Sequence, residues 1–295
     1  MRLVVVGAAR GWHATRIAAE ASRRGHGVTV VEWPLLGAAI DPAGRPAVER
    51  FLPAAVDAAD VLAVRSMPAG RLEEVILRMD LLGRIAARGT PVINAPAALE
   101  TAIDKYLSLA RLAAAGIPVP RTVVAQDPDA IRAAWESLGR DAVVKPLFGS
   151  CGRGIERVAS AESLGRLVAA AAEGGTATYL QAFVPHDGWD VRVLLVGPRA
   201  FAMRRRARGD WRTNLALGGT AEPIDPPAAW LDLARRAASL LGVEVAGVDL
   251  LPGPDGMVVL EVNAVPGWQG LEGATGADVT GAVVERLAAR AAGAA

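Results

Sequence analysis

Residues 257–267 read MVVLEVNAVPG, an apolar run that carries a glutamate and an asparagine near its end. The pattern predicts a buried strand. Because side chains alternate between the two faces of a strand, Glu261 and Asn263 are expected to point the same way. A carboxylate next to an amide on a buried strand needs a partner. That partner is a buried arginine or lysine, the solvent at an exposed strand end, or a hard cation, which prefers oxygen ligands.

The segment before this strand brings a second carboxylate toward Glu261. Residues 252–256 (PGPDG) predict a turn between two strands, so that Asp249 lies opposite Val259. Val259, Glu261 and Asn263 are expected to share one face, which places Asp249 diagonal to Glu261. Like charges this close repel unless they are protonated or bridged by a cation. Two carboxylates and an amide, without His or Cys, favour Mg²⁺ or Mn²⁺ over zinc, and Mg²⁺ usually shares its open positions with phosphates.

A candidate phosphate-binding loop follows the predicted strand VVKP at 143–146. Its glycines let backbone N–H groups approach an anion, while its serine and arginine add a donor and a charge. Lys145, at the end of the strand, is either solvated or directed at the same anion, whereas Lys105 by itself is an ordinary surface lysine on a helix predicted over 98–116. We interpret Cys151 as a small residue of this loop. The loop residues expected to bind phosphate are Gly149, Ser150, Gly152, Arg153 and Gly154.

Strand and helix patterns alternate over residues 1–95, which predicts an open parallel α/β domain. The first strand-to-helix turn, GAARGW at 7–12, lacks the glycine spacing of a dinucleotide site, and no P-loop follows the first strand. Residues 96–182 are predicted to form a central domain that carries the glycine-rich loop. Residues 183–295 are predicted to form an antiparallel-sheet domain that carries the metal site. The predicted fold class is therefore α/β with an antiparallel part (α+β).

The composition limits the function classes. The chain has 295 residues with 32 Lys+Arg and 31 Asp+Glu, and this net charge of +1 argues against nucleic-acid binding as its main role. Its single cysteine excludes an internal disulfide and fits a reducing compartment. No apolar segment is long enough to span a bilayer and the first residues do not form a convincing secretion signal, so we expect a soluble, cytoplasmic protein without a membrane partner.

Six motifs stand in the order and spacing of the ATP-grasp ligases. Over residues 94–290 the sequence most resembles the RimK-like α-L-glutamate ligases, and before residue 94 the similarity is one of fold pattern only. The resemblance implies an ATP-grasp fold with a central lid domain. The motifs are Lys105, KPLFGSCGRG at 145–154, YLQAFV at 179–184, DVR at 190–192, WRTNLALGG at 211–219, and Asp249 with EVN at 261–263.

The resemblance also implies roles for single residues. The nucleotide would be held by two lysines, a hinge whose backbone reads the adenine edge, and a carboxylate near the ribose: Lys105, Lys145, the hinge residues Gln181, Ala182, Phe183 and Val184, and Asp190. The residues implied for the transferred phosphate and the substrate carboxylates are Arg192, Arg212 and Asn214, and those implied for Mg²⁺ or Mn²⁺ are Asp249, Glu261 and Asn263. Relatives usually have Gln-Glu in the hinge, and here it is Gln-Ala. Any adenine contact made by that glutamate is therefore lost.

The reaction implied by the resemblance is ATP-dependent amide formation. An acceptor carboxylate attacks the γ-phosphate to give ADP and an acyl phosphate, which the amino group of L-glutamate then attacks. The segment NAVPGW after Glu261 is most similar to relatives that glutamylate pterin or furan one-carbon cofactors, such as tetrahydromethanopterin. The alternatives are an amino-group-carrier-protein ligase of lysine-type biosynthesis and a non-catalytic ATP-binding regulator, against which the intact metal-binding triad argues. Relatives are often dimers or tetramers.

Two further segments leave alternatives open. GWHATR at 11–16 opens the first predicted helix, where backbone N–H groups and Arg16 bind an acceptor carboxylate, or where Trp12 simply packs in the core. MRRRAR at 203–208 is interpreted as a clamp for an acidic substrate rather than a nucleic-acid patch. The three histidines are interpreted as structural or exposed: His13, His26 and His186.

Overall fold

The computed structural model of the protein describes residues 1–39, 53–149, 152, 154–175 and 177–293. These residues form three β-sheets, each built from one stretch of the chain. Across these ranges, every helix is too short or too polar to pass through a lipid bilayer.

The first sheet is built from strands that alternate with helices: β1 (Arg2–Val6), α1 (Trp12–Arg23), β2 (Gly27–Val31), α2 (Ala54–Asp57), β3 (Val61–Val64), α3 (Leu72–Ala87) and β4 (Val92–Ile93). The strands are parallel, in the order β2-β1-β3-β4. Strand β1 is buried on both faces, because Leu3 and Val5 face one core cluster while Val4 and Val6 face another. The open parallel α/β arrangement predicted for the start of the chain is confirmed.

The second sheet comes from the middle of the chain, whose elements are α4 (Pro96–Ile103), α5 (Lys105–Ala114), β5 (Thr122–Ala125), α6 (Pro128–Ser137), β6 (Ala142–Lys145), β7 (Glu156–Val158), α7 (Ala161–Gly174) and β8 (Thr178–Ala182). Neighbouring strands are antiparallel, in the order β5-β8-β6-β7. This sheet has its own core, which includes Ile131, Trp135 and Leu180. The sheet therefore packs with α6 and α7 around a core of its own, whereas α4, α5 and Tyr179 of β8 pack into a core that includes residues of the other two sheets.

The helix expected over 98–116 is two helices, so that prediction was wrong in its continuity. They separate at Asp104, whose Oδ1 accepts hydrogen bonds from the backbone N–H groups of Tyr106 and Leu107, both at 2.9 Å. A carboxylate in this position caps the start of a helix. Lys105 is consequently the first residue of α5 and does not lie on the side of a continuous helix.

The third sheet comes from the last part of the chain, whose elements are β9 (Trp189–Val196), β10 (Arg199–Arg206), β11 (Thr220–Pro223), α8 (Ala228–Leu240), β12 (Val245–Gly253), β13 (Gly256–Asn263), α9 (Gln269–Thr275) and α10 (Val279–Ala291). It is antiparallel, as the sequence predicted, and its strand order is β11-β10-β9-β12-β13. The first and third sheets share their cores, since Val4 and Val248 lie in one cluster and Leu3 and Val196 in another.

The register of the β12–β13 hairpin differs from the predicted one. Asp249 pairs with Glu261, while Leu250 pairs with Val259, so the prediction that Asp249 lies opposite Val259 was wrong. A β-bulge between Asp249 and Leu250 shifts the register and leaves Leu260 without a partner. Without the bulge, Asp249 would pair with Leu260 and face away from Glu261. The bulge therefore places the two carboxylates directly opposite each other.

The bulge also changes which side chains of β13 share a face. Val259 and Val262 are both buried in the core, whereas Glu261 and Asn263 line a cavity. Glu261 and Asn263 therefore share a face, as predicted, but the prediction that Val259 lies on that face was wrong. The extra residue, Leu260, reverses the alternation between Val259 and Glu261.

Asn94, just after β4, holds the first sheet against the third. Its side chain is buried, and its Nδ2 donates to the carbonyls of Val245 and Ala264 at 2.8 and 2.6 Å. Its Oδ1 accepts from the N–H groups of Glu244 and Val245 at 2.7 and 2.8 Å. A buried amide is stable only when its donors and acceptors are paired, as they are here. Asn94 thus fixes the end of β4 against β12 and against the segment that follows β13.

Candidate functional site

A cavity of about 450 Å³ opens beside the end of β13, with walls from α1, α5, β6, β9 and β10. Among the described residues that line it, four side chains are cationic and one is anionic: Lys105, Lys145, Arg192, Arg205 and Glu261. An excess of positive charge inside a partly enclosed cleft attracts anions, because the low-dielectric walls focus the field. Lys105 and Lys145, which form no ion pair with a described carboxylate, therefore make the cavity suitable for an anionic ligand.

The buried Arg205 and the partly buried Arg192 hold the carboxylate of Asp249. Arg192 donates from Nε to Oδ1 and from Nη2 to Oδ2, both at 2.7 Å, and Arg205 Nη2 lies 2.9 Å from Oδ2. Arg205 also forms a two-pronged ion pair with Asp190, at 2.7 and 2.6 Å. The Thr213 hydroxyl donates to the same Asp190 carboxylate at 2.6 Å. These contacts form one continuous chain of charges across β9, β10 and β12.

The charges in this chain stabilise each other. Burial by itself would raise the pKa of Asp249, but the charges of Arg192 and Arg205 outweigh it and lower the pKa to about 2. Burial would likewise lower the pKa of Arg205, but Asp249 and Asp190 raise it above its usual range. Asp249 and Arg205 are therefore ionised at neutral pH. The sequence left open whether the carboxylates here pair with a buried arginine or with a cation. For Asp249, the partner is the buried Arg205 together with Arg192.

Glu261 lies opposite Asp249 in a different environment. Within the described part of the chain, no group donates a hydrogen bond to its carboxylate, and its neighbour Asn263 accepts at Oδ1 from the Val265 N–H at 3.1 Å. The described residues contain no cluster of three or more His, Cys, Asp or Glu arranged to bind a metal, so any such site here depends on the amide. Glu261 and Asn263 fit a hard cation, whereas both oxygens of Asp249 already accept from guanidinium groups.

Lys145 is oriented by a buried glutamine. Its Nζ donates to Gln181 Oε1 at 2.7 Å, and Gln181 Nε2 donates in turn to Thr122 Oγ1 and the Tyr179 hydroxyl, both at 3.1 Å. Gln181 is only 2% exposed, so its side chain is fixed within the second sheet. Burial lowers the pKa of Lys145 to about 8, although the charge of Glu261 opposes the shift. Lys145 thus lies in the cavity wall and loses its proton at a lower pH than an exposed lysine, because its pKa is lowered.

The glycine-rich loop lies at the cavity, where Gly149 and Gly152 are among the lining residues. Lys105 Nζ donates to the Gly149 carbonyl at 2.8 Å, which ties the start of α5 to the loop. Gly152 has φ 72°, and a Cβ there would lie 2.6 Å from Asn214 Oδ1, so only glycine permits this approach. Gly154 also has a left-handed backbone, with φ 70°. The remaining loop residues lie outside the described residues: Ser150, Cys151 and Arg153.

A smaller pocket of about 90 Å³ adjoins the cavity and is lined by the predicted hinge. The hinge backbone is held in place because the Ala182 N–H donates to the Arg121 carbonyl at 2.8 Å and the Phe183 N–H donates to the Asp141 carbonyl at 3.0 Å. Among the described residues, no backbone carbonyl accepts from the Val184 N–H. That N–H is therefore available to a ligand in the pocket.

The hinge pocket has an aromatic wall. The guanidinium of Arg157 lies 3.5 Å from the centroid of the Phe183 ring, and Trp211 meets the same ring edge-on at 5.7 Å. Arg157 is itself held by Asp141 through hydrogen bonds of 2.8 and 2.6 Å. A narrow pocket with an aromatic wall and a free backbone donor suits a planar heterocycle.

Two predicted site residues lie at this smaller pocket in different contacts from those expected. Arg212 pairs with Asp210 and donates from Nη1 to the Ile155 carbonyl at 3.3 Å. It lines the hinge pocket and not the larger cavity that Arg192 lines. Asp190, expected near a ribose, has both carboxylate oxygens engaged by Arg205. The roles implied for Arg212 and Asp190 stay predictions.

Two cavity residues were not among the predicted site residues. Arg205 was named only among the arginines of a basic run interpreted as a clamp for an acidic substrate, although strand alternation places it on one face with Met203, and both are buried and line the cavity. His13 was interpreted as structural or exposed, and it also lines the cavity. Arg16, from the same segment, instead lies 3.7 Å from Glu272.

Comparison with known proteins adds to this geometry. Residues 102–287 match the RimK-like ATP-grasp domain family. The chain is 32% identical over 258 residues to the tetrahydromethanopterin:alpha-L-glutamate ligase of Methanosarcina acetivorans, covering 77% of this chain and 79% of that protein. It is 40% identical over 212 residues to a probable alpha-L-glutamate ligase of Xanthomonas oryzae pv. oryzae, covering 70% of this chain and 72% of that protein.

Solved structures are similar over nearly the whole chain. The ATP-grasp ligase PsnB complexed with a minimal precursor aligns with a TM-score of 0.77 and 26% identity, covering 98% of this chain and 99% of that one. The RimK domain protein ATP-grasp from Sphaerobacter thermophilus aligns with a TM-score of 0.75 and 26% identity, covering 97% and 99%. These alignments include the first sheet, which lies before the residues matched by the family.

Proposed function

The chain belongs to the RimK-like ATP-grasp family and is an ATP-grasp ligase, and we propose that it joins L-glutamate to a carboxylate-bearing acceptor while converting ATP to ADP and phosphate. The acceptor is a small cofactor, a peptide or a protein. The observation that carries the proposal is the charge of the cavity, where Lys105 and Lys145 form no ion pair with a described carboxylate, whereas Asp249 and Asp190 offset the charges of Arg192 and Arg205. A triphosphate together with carboxylate substrates supplies the negative charge that such a lining requires.

The proposed reaction has two steps. An oxygen of the acceptor carboxylate attacks the γ-phosphorus, the bond to the β–γ bridging oxygen breaks, and ADP leaves with the electron pair. The resulting acyl phosphate is then attacked at its carbonyl carbon by the amino nitrogen of L-glutamate, which loses a proton as phosphate departs. The protein contributes positioning and charge stabilisation to both steps, as is general for phosphoryl transfer.

Different described residues would bind different parts of the substrates. The adenine would lie in the hinge pocket beside Phe183, with the Val184 N–H donating to its edge. Lys105 and Lys145 would hold the phosphates at the boundary of the two pockets. Arg192 donates hydrogen bonds from Nε and Nη2 to Asp249, so its Nη1 would contact the transferred phosphate or a substrate carboxylate. Asn214, next to Gly152 of the glycine-rich loop, and Arg212 would also contact the transferred phosphate or a substrate carboxylate.

A divalent cation fits the end of β13. Glu261 and Asn263 would hold Mg²⁺ or Mn²⁺, and Asp249 would join them through a lone pair that its arginines leave free or by releasing Arg192. When bound, the ion neutralises charge on the phosphates. Mg²⁺ is supported by PsnB, which has been solved with Mg and ADP and aligns here at 25% identity and a TM-score of 0.76 over 99% of both chains.

The proposal is tested by incubating the full chain with ATP, Mg²⁺, L-glutamate and a panel of acceptors. The panel contains a glutamyl peptide, a ribosomal-protein tail, a tetrahydromethanopterin-type pterin, a furan-tyramine precursor and the carrier protein of lysine-type biosynthesis. We expect slow ATP hydrolysis without acceptor, and ADP release with a mass gain of one glutamyl unit on the right one. Consumption of other amines but not of glutamate would contradict the glutamate assignment. Tight ATP binding without any ligation would contradict catalysis.

Proton uptake should accompany ATP binding near pH 8. Because the pKa of Lys145 is about 8, part of the population is deprotonated at pH 8.5, and a bound triphosphate would raise that pKa and draw a proton in. Titration calorimetry in two buffers of different ionisation enthalpy measures the uptake. Lys145→Arg should abolish it, since arginine stays charged, while Lys105→Arg should retain it. Unchanged uptake in Lys145→Arg would show that another group titrates.

Gln181→Leu should weaken ATP binding without changing the preference for adenine. The change leaves Lys145 without the oxygen to which its Nζ donates, so we expect the Kd for ATP to rise about tenfold. Binding of ATP and of GTP measured side by side gives both quantities, and Gln126→Leu, at an exposed position, is the matched control. A lost preference for ATP over GTP would instead show that Gln181 reads the adenine.

A further inference from the structure

His13, the second residue of α1, brings the first domain to the wall of the cavity. Its Nε2 accepts a hydrogen bond from the backbone N–H of Trp268 at 2.9 Å. Its ring stands edge-on between Trp12 and Trp268, with centroid distances of 4.8 and 4.6 Å. One hydrogen bond and two aromatic contacts therefore fix the orientation of the imidazole.

The hydrogen bond also fixes the tautomer. Because the Trp268 N–H donates to Nε2, that nitrogen carries no proton, and the neutral ring of His13 holds its proton on Nδ1. Burial, together with the charge of Arg65, lowers the pKa of His13 to about 4, so the ring is neutral at pH 7. No described residue accepts a hydrogen bond from Nδ1. His13, one of the residues that line the cavity, thus has an oriented donor that the described residues leave unpaired.

The surroundings of His13 favour an anionic oxygen. The guanidinium of Arg65 lies 4.3 Å from the Trp268 ring centroid and donates to the Pro266 carbonyl at 2.6 Å, while its buried Nε has no hydrogen-bond partner among the described residues. Glu261 is the one carboxylate among the described residues that line the cavity. A fixed positive charge and an unpaired donor, with so little negative charge around them, stabilise a carboxylate.

We propose that His13 binds the amino-acid substrate, donating its Nδ1–H to a carboxylate oxygen of L-glutamate. This inference rests on the function proposed above. The phosphates are provided for by the lysines and the glycine-rich loop, so His13 serves the part of the cavity beyond them, next to Gly267. Through this contact the first domain would take part in selecting the amine.

Titration of L-glutamate into the full chain, preloaded with Mg²⁺ and a non-hydrolysable ATP analogue, tests the proposal. His13→Asn keeps a donor near the position of Nδ1 and loses the acceptor for Trp268, whereas His13→Gln keeps an acceptor near the position of Nε2 and loses the donor. We expect the Kd of His13→Gln to rise about tenfold or more and that of His13→Asn to stay within about threefold of wild type. His26→Gln, a histidine outside the cavity lining, should leave the Kd unchanged.

A steric variant gives a second readout. A Cβ on Gly267 would lie 3.4 Å from His13 Cε1, and the backbone of Gly267 is not left-handed, so Gly267→Ala narrows the cavity beside His13 without backbone strain. It should weaken L-glutamate binding while leaving binding of the ATP analogue intact. Gly273→Ala, on α9 with open space around its Cβ position, is the matched control.

The outcomes separate this inference from the function on which it rests. If wild type binds L-glutamate and both His13 variants bind it equally well, the inference is wrong while the glutamate-ligase proposal stands. If His13→Asn is weakened and His13→Gln is not, His13 acts only by holding Trp268, which also contradicts the inference. If wild type binds no L-glutamate, the glutamate assignment and the role of His13 are overturned together.

Discussion

Glu261→Ala should abolish ATP turnover and leave the fold intact. No group in the described part of the chain donates a hydrogen bond to this carboxylate, so its removal leaves no buried partner unpaired. The proposed metal site, in contrast, would lose its one carboxylate that is not paired with arginine. We expect ADP release to fall by about a hundredfold or more, because charge stabilisation of the transferred phosphate depends on this site. Urea unfolding without nucleotide should give a free energy close to that of wild type.

Thermal melts separate loss of metal binding from loss of structure. Mg²⁺ with ATP should raise the Tm of wild type, since a ligand that binds only the folded state stabilises it, and should raise the Tm of Glu261→Ala much less. Glu100→Ala, an exposed change on α4, is the matched control and should behave as wild type. Full turnover and a normal Tm increase in Glu261→Ala would show that Glu261 is structural.

Much of the fold follows from local patterns in the sequence. Strand β1 could be predicted because Leu3 to Val6 form an unbroken apolar run, and such a run is buried on both faces in a parallel sheet. The order of strand and helix segments then predicted the parallel first sheet, and the turn at 252–256 predicted the hairpin of β12 and β13. These features depend on neighbours in the sequence, which a single chain displays directly.

Features that depend on one extra residue could not be predicted in the same way. The bulge at Leu260 leaves the alternation of apolar residues almost unchanged, yet it decides whether Asp249 faces Glu261. The break at Asp104 had a visible signal, because aspartate is a common helix cap, but the apolar pattern of a single helix continues through it. Register and helix breaks thus follow from hydrogen bonds that hydrophobic patterns do not encode.

The sequence indicated which residues lie at the candidate site better than it indicated the contacts that those residues make. Lys145, Glu261 and Asn263 lie together at the cavity, as the motifs indicated. The pairing of Asp249 with Arg192 could not be inferred, because it requires β12 to lie next to β9, and the order of strands in a sheet is set by long-range packing. The pairing of Asp190 with Arg205 depends in the same way on β9 lying next to β10.

These pairings reverse one expectation about stability. The repulsion expected from the sequence between Asp249 and Glu261 implies that removing either carboxylate relieves it and leaves the fold largely intact. In the structure the nearest charges to Asp249 are the guanidinium groups of Arg192 and Arg205, and the side chains of Asp249 and Arg205 are 7% and 4% exposed. Removing Asp249 leaves Arg192 without its carboxylate partner and Arg205 with Asp190 alone, and an uncompensated charge in such a network is more destabilising than the repulsion that is relieved.

Asp249→Ala should therefore lower the free energy of unfolding by about 3–5 kcal/mol, in contrast to Glu261→Ala. Urea unfolding at pH 7 measures this loss. Asp60→Ala removes a carboxylate that pairs with Arg2 at the surface, and this matched control should show a much smaller change, because solvent screens exposed pairs. Equal losses in Asp249→Ala and Asp60→Ala would mean that burial adds nothing to the Asp249 pairs.

The pH dependence should identify ionised Asp249 as the cause. Its pKa is about 2 in the folded state and about 4 in an unfolded chain, so its contribution is complete above about pH 4. As the pH falls toward 2, the unfolded state binds the proton first, and the stabilisation disappears once both states are protonated. The stability difference between wild type and Asp249→Ala should therefore shrink between about pH 4 and pH 2. A difference that stays constant over this range would show that the side chain stabilises the protein by packing and not by its charge.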